Sequence, residues 1–75
     1  MKYKKRDKNI MQINIINHVE KTSKIDYTPF SAKKWLSFHF GAWGWYKIIK
    51  ESKNKYLIYD TFENILNYTL IFYEV

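Results

Sequence analysis

The chain has no cysteine, one proline, two glycines and one arginine among its 75 residues. Without cysteine it can form neither a disulfide framework nor a thiolate metal site, so a domain this small must be stabilised by packing. With only Gly41 and Gly44, the chain has no glycine-rich loop to cradle a phosphate. These absences exclude disulfide scaffolds, cysteine zinc sites and P-loop proteins.

Long apolar runs are also absent. The longest uncharged stretches, residues 35–46 and 64–73, hold twelve and ten residues, whereas a helix needs about 20 apolar residues to span a bilayer. The basic N-terminal residues are not followed by the apolar run of a targeting signal. We therefore expect a cytoplasmic protein with no membrane partner.

Aromatic side chains and lysine are abundant. Aromatic residues make up 20% of the chain and hydrophobic residues 47%, enough for one small core. The net charge is +6, and residues 1–8 carry most of it. We predict a flexible basic arm at 1–8 and a single α+β domain at 9–75. Twelve lysines against one arginine also fit AT-rich coding DNA, which would account for lysine without a phosphate-binding role.

The first half of the chain predicts a strand, a loop and a helix. Alternation in Met11–Ile15 predicts a strand from about residue 10 to 19, with a helix as the competing interpretation. Residues 20–27 have the composition of a loop. Thr28 and Pro29 are typical of a helix N-cap and first position, and apolar spacing then predicts a helix over 29–40, with a strand at 35–40 as its rival.

The second half predicts a hairpin and a second helix. Two β-rich runs, 45–50 and 55–60, flank a polar turn at 51–54. Asp60 and Glu63 have capping-box spacing, so we expect a helix from 61 to about 69. Residues 69–75 either continue that helix or turn back as an edge strand.

The predicted fold is α+β, with the order β–α–β–β–α, a possible C-terminal edge strand, and helices packed on a small antiparallel sheet. If the C-terminal residues form an exposed edge, Leu70, Phe72 and their neighbours could pair across a homodimer.

Catalytic chemistry is not indicated by any motif. His18 and His39 lie 21 positions apart and, without cysteine, give little sign of a metal site. Asp60 and Glu63 are explained by helix capping rather than by acid–base catalysis. We predict no catalytic residue, no metal and no cofactor, so the chain is expected not to be an enzyme.

Binding is indicated by two features. Residues 38–46 are rich in aromatic rings, which form a core corner unless some are exposed to a partner. Lysines gather in the N-terminal arm and around the hairpin. The candidate binding residues are Lys4, Lys5, Arg6, Lys8, Trp43, Trp45, Tyr46, Lys47, Lys50, Lys53 and Lys55.

The sequence thus favours a small non-enzymatic binding protein. A phage or mobile-element type of inhibitor, which occupies a surface on a host protein or nucleoprotein complex, fits this profile. Direct DNA or RNA binding through the basic arm and hairpin lysines is one alternative. A small toxin, acting as an RNase or on membranes, is the other.

Overall fold

The computed structural model describes residues 10–41 and 44–75, which form five strands and one helix. In chain order these are β1 (Met11–Asn17), β2 (Thr22–Thr28), α1 (Ala32–Phe40), β3 (Tyr46–Ser52), β4 (Lys55–Asp60) and β5 (Leu66–Glu74). The strands form one sheet in the order β2-β1-β5-β4-β3, and every neighbouring pair is antiparallel. The C-terminal strand therefore lies at the centre.

The core lies between α1 and one face of the sheet, the helix face. Strands β1, β4 and β5 contribute alternate side chains to it, and α1 contributes its inner side. Its buried residues are Ile13, Ile15, Trp35, Leu36, Ile58, Leu70 and Phe72. The Trp35 and Phe72 rings meet edge to face with centroids 5.8 Å apart, which fixes the helix above the central strand.

The end of α1 is held by a second group of rings. Phe40 packs against Tyr46 of β3 at 5.1 Å and against Tyr68 of β5 at 5.3 Å. At the other end, the Ser31 hydroxyl accepts a hydrogen bond from the Lys34 N–H at 3.3 Å and caps the helix. The helix is thus held by aromatic packing at its C-terminal end and by a side-chain hydrogen bond at its N-terminal end.

The prediction of a loop over 20–27 was wrong for residues 22–27, which belong to β2, whereas residues 20–21 lie in the turn before it. The reversal comes earlier: the Asn17 side-chain oxygen accepts hydrogen bonds from the Val19 and Glu20 N–H groups at 3.0 Å, and Lys21 has a φ of 59°. An Asx turn of this kind ends β1 at Asn17. The strand predicted at 10–19 is confirmed over its central part.

The helix predicted over 29–40 is confirmed over Ala32–Phe40, and residues 35–40 are not a strand. Its cap differs from the prediction. Thr28 is the last residue of β2, and its hydroxyl accepts from the Phe30 N–H at 3.1 Å, so the capping role passes to Ser31. Pro29 lies in the connection before the cap.

The hairpin is confirmed, with a turn at residues 53–54 between β3 and β4 rather than the longer turn predicted. The helix predicted at 61–69 was wrong. The Asp60 carboxylate does accept from the Phe62 N–H, at 2.7 Å, but Asn64 then takes a φ of 59°, which a helix does not allow.

The predicted order β–α–β–β–α is therefore replaced by β–β–α–β–β–β within the described residues. The antiparallel sheet and the packing of a helix on it are as predicted, but the protein is mostly sheet. The C-terminal segment is not an edge strand: β5 pairs with β1 on one side and β4 on the other. The edges of the described sheet are β2 and β3.

Candidate interaction surface

The sheet has a second face on which no described helix or strand packs, and we name it the open face. Side chains alternate along a strand, so the neighbours of the core residues point to it. Cross-strand register places these residues together: Gln12, Asn14, Ile16 and His18; Ser23, Ile25 and Tyr27; Lys47 and Ile49; Lys55, Leu57 and Tyr59; Leu66, Thr69, Ile71 and Tyr73.

Large apolar and aromatic side chains dominate the open face and reach solvent. Ile25 and Tyr27 on β2 are each 57% exposed, and Tyr73 on β5 is 45% exposed. Five strands about 4.8 Å apart, with seven residues of about 3.4 Å each, give a plan area of roughly 550 Å². The largest apolar patch of a typical soluble monomer covers about 300–600 Å² and is often functional, and this face, which also carries polar side chains, is of that size.

Polar groups lie between the apolar side chains. The His18 ring nitrogen Nε2 is 2.7 Å from the Thr69 hydroxyl, and Thr69 is buried between its cross-strand neighbours. The Gln12 amide donates to the Asn14 side-chain oxygen at 3.1 Å. These four side chains are hydrogen-bonded in two pairs, and each retains capacity for further hydrogen bonds.

Charge on the open face is confined to one side. Its charged side chains among the described residues, Lys47 and Lys55, lie on the β3–β4 hairpin. Lys55 is 3.3 Å from the Glu51 carboxylate at the same hairpin. Both side chains of that pair are substantially exposed, so the pair adds little stability. The rest of the face is uncharged.

The predicted aromatic site is divided by the structure. Trp43 lies outside the described residues, as do Lys4, Lys5, Arg6 and Lys8 of the predicted arm. Trp45 is 56% exposed just before β3. Tyr46, the next residue, points to the helix face and packs on Phe40. Trp45 and Tyr46 are thus not part of one exposed aromatic surface.

The hairpin lysines are likewise divided. Lys47 and Lys55 lie on the open face, whereas Lys50 lies on the helix face. There Lys50 and Lys33 border a cavity of about 460 Å³ beside α1. Lys53 is in the turn. A nucleic-acid backbone following one face of the sheet would therefore meet only some of these lysines.

The residues that sequence reasoning missed are those of β2 and the outer side of β5, chiefly Ile25, Tyr27, Ile71 and Tyr73. The alternation Ser23-Ile25-Tyr27 is a weak strand signal that could have found the first pair. For the second pair, the composition of residues 69–75 had suggested an edge strand as one of two interpretations, but not a central strand with an uncovered face.

Two titratable side chains of the described residues, His39 and Tyr68, pack against other aromatic rings. The His39 ring stacks on Trp35 with centroids 4.1 Å apart. Residues 10–41 and 44–75 hold no group of three or more carboxylates and histidines with the spacing of a metal site. Burial raises the pKa of the Tyr68 phenol above its ordinary value of 10.0, and the charges of Tyr46 and Glu20 raise it further.

In the described part of the chain, no helix combines the length and the apolar composition needed to cross a membrane. No protein-family model matches the chain, and no curated protein or solved structure resembles it significantly.

Proposed function

We propose that the chain is a non-enzymatic binding protein that docks on a partner protein through the open face of its sheet. The observation that carries this proposal is the uncovered apolar surface of Ile25, Tyr27, Ile49 and Tyr73. A sheet with one face packed and one face solvated normally alternates apolar and polar side chains. Here many outward positions are apolar or aromatic as well, and the four exposed ones leave solvent only if a partner covers them.

The partner's chemistry follows from the face. Its contact surface is apolar, to match the isoleucine and tyrosine side chains, and it is bordered by carboxylates opposite Lys47 and Lys55. Stable interfaces bury about 800 Å² on each partner, and side-chain relief raises the accessible area of the open face above its plan area. Occupying one surface of a host protein in this way is the mode of action of an inhibitor.

The test compares capture of host proteins by the tagged wild-type chain and by variants. Ile49→Glu combined with Tyr73→Glu places charge on the open face at two exposed positions. Phe38→Glu is the matched control, because Phe38 is 66% exposed on α1, away from that face. We expect a protein retained by the wild type and the control to be lost from the double variant.

Two outcomes would contradict the proposal. One is a partner retained equally by the double variant, which would place binding elsewhere. The other is retention of nucleic acid alone, with affinity that falls steeply as salt rises. Circular dichroism of each variant confirms that loss of capture does not come from unfolding.

A further inference from the structure

The charges of strand β2 are complementary to those of a second β2 strand that runs antiparallel to it. Its sequence is Thr-Ser-Lys-Ile-Asp-Tyr-Thr, centred on Ile25, with Lys24 and Asp26 on either side. No described strand pairs with its outer edge. We propose that β2 is a homodimer interface, on which a second copy of this chain pairs antiparallel about Ile25 and extends the sheet across a twofold axis.

Backbone geometry makes this edge available. The His18 N–H donates to the Asn67 carbonyl at 2.8 Å and the Val75 N–H donates to the Ile10 carbonyl at 3.0 Å. Even-numbered residues of β1 therefore direct their N–H and C=O groups to β5, and odd-numbered residues direct theirs to β2. By the register of β1 with β2, the backbone groups of Ser23, Ile25 and Tyr27 point outward.

The Tyr27 N–H supports this assignment. It donates to the carboxylate of its neighbour Asp26 at 2.9 Å, and not to β1. In the dimer this N–H would donate to the Ser23 carbonyl of the second copy, and the Asp26 carboxylate would turn to Lys24 of that copy. The two Ile25 residues would exchange hydrogen bonds across the axis.

Charge selects the register. The helix faces of the two copies form one continuous face only if even-numbered residues of β2 pair with even-numbered residues, so the two paired residue numbers must add to an even total. Pairing about Ile25 places Lys24 opposite Asp26 twice, on the helix face. The neighbouring allowed registers place Lys24 opposite Lys24, or Asp26 opposite Asp26, which is destabilising. The Lys24–Asp26 pairs would also be non-hydrogen-bonded pairs, in which side chains are closest.

The other edge of the described sheet is less suited to pairing. In β3 the register shifts between Lys50 and Ser52, which leaves Glu51 as an extra residue. Such a bulge bends an edge strand and interrupts its row of hydrogen bonds. Strand β2 has no register shift along its pairing with β1, so it offers a straight edge of seven residues.

The dimer is a separate interaction from the docking of a partner on the open face, and its test measures self-association alone. Sedimentation velocity of the full chain over a range of concentrations would detect it. Pairing along a single strand edge buries less than the ~800 Å² that each partner buries in a stable complex. We therefore expect dimers only at high protein concentration.

Charge-reversal variants test the register. Lys24→Asp and Asp26→Lys each replace two attractive pairs by two repulsive ones, so each variant alone should self-associate at least about tenfold more weakly. The double variant Lys24→Asp/Asp26→Lys should regain wild-type association. An equimolar mixture of the two single variants should form a heterodimer, because every facing pair is then opposite in charge.

Controls carry the same change in net charge on exposed sites away from β2. Lys33→Asp on α1 matches Lys24→Asp, and Glu63→Lys in the turn after β4 matches Asp26→Lys. Both should associate like the wild type. The proposal is overturned if the wild type stays monomeric at every concentration, if the single β2 variants associate unchanged, or if their mixture does not associate.

Discussion

Phe72 is the side chain whose removal should cost the fold most. It is fully buried in the central strand, lies opposite Ile13, and meets the Trp35 and Tyr56 rings edge to face at 5.8 and 5.6 Å. Replacing a buried phenylalanine by alanine typically costs about 3–5 kcal/mol. Each lost ring pair contributes about 0.5–1.5 kcal/mol beyond area, so Phe72→Ala should fall at the upper end of that range.

That loss is large for this protein. At about 0.05–0.15 kcal/mol per residue, a chain of this length has a free energy of unfolding of roughly 4–11 kcal/mol. Phe72→Ala should therefore be largely unfolded at the lower end of this range. Phe72→Leu keeps most of the volume but loses both ring pairs, so it should cost about 1–3 kcal/mol, less than the alanine variant, and it keeps the measurement possible if that variant does not fold.

The assay is urea unfolding followed by circular dichroism and tryptophan fluorescence, with the midpoint and slope fitted for each variant. Phe62→Ala is the matched control, because Phe62 is 78% exposed in the turn after β4, and it should change the free energy of unfolding by less than about 0.5 kcal/mol. A loss below about 1 kcal/mol for Phe72→Ala, or a loss equal to that of the control, would refute the placement of β5 at the centre.

Three further predictions concern local features. Gly44→Ala should destabilise the fold by about 1 kcal/mol, because Gly44 has a φ of +67° and a Cβ there would touch nothing within 4 Å, so thermal unfolding should report a conformational cost alone. Ser31→Ala should cost about 1 kcal/mol in urea unfolding by removing the N-cap, and Ser31→Asp should restore most of it. Burial holds the pKa of Tyr68 above 10.0 in the folded protein, so the neutral phenol stabilises the fold below that pH and this contribution is lost as pH rises through the raised pKa. Tyr68→Phe should flatten that alkaline loss, and it should remove from the absorbance titration at 295 nm a tyrosine whose pKa is raised.

Sequence reasoning located the hairpin and α1 because their signals are local. Tyr46–Ser52 and Lys55–Asp60 are β-rich runs on either side of a polar turn, and both strands can be recognised without knowing their neighbours. The helix has one apolar side, with Trp35 and Leu36 buried, so its periodicity reflects its packing directly.

The last strand was misread because its environment is not local. In β5, Thr69, Leu70 and Phe72 are buried and Leu66, Tyr68 and Ile71 are half-buried, so apolar residues face both sides and no period of two remains. The apolar positions from Phe62 onward then happen to match helical spacing. What decides for strand is pairing with β1 and β4, together with the left-handed Asn64, and neither can be read from periodicity.

Strand β2, which contributes part of the open face, was missed because it is exposed, whereas β5 was missed because it is buried on both faces. Residues 22–27 are all exposed, so packing imposes no apolar alternation strong enough to distinguish this edge strand from a loop. An edge strand is identified by its partner, and β2 has one on its inner side only among the described strands. The alternation that remains places Ser23, Ile25 and Tyr27 on the open face and Lys24 and Asp26 on the helix face. A loop would give the Lys24–Ile25–Asp26 order no role, whereas in the proposed dimer this order would favour one antiparallel register over its neighbours.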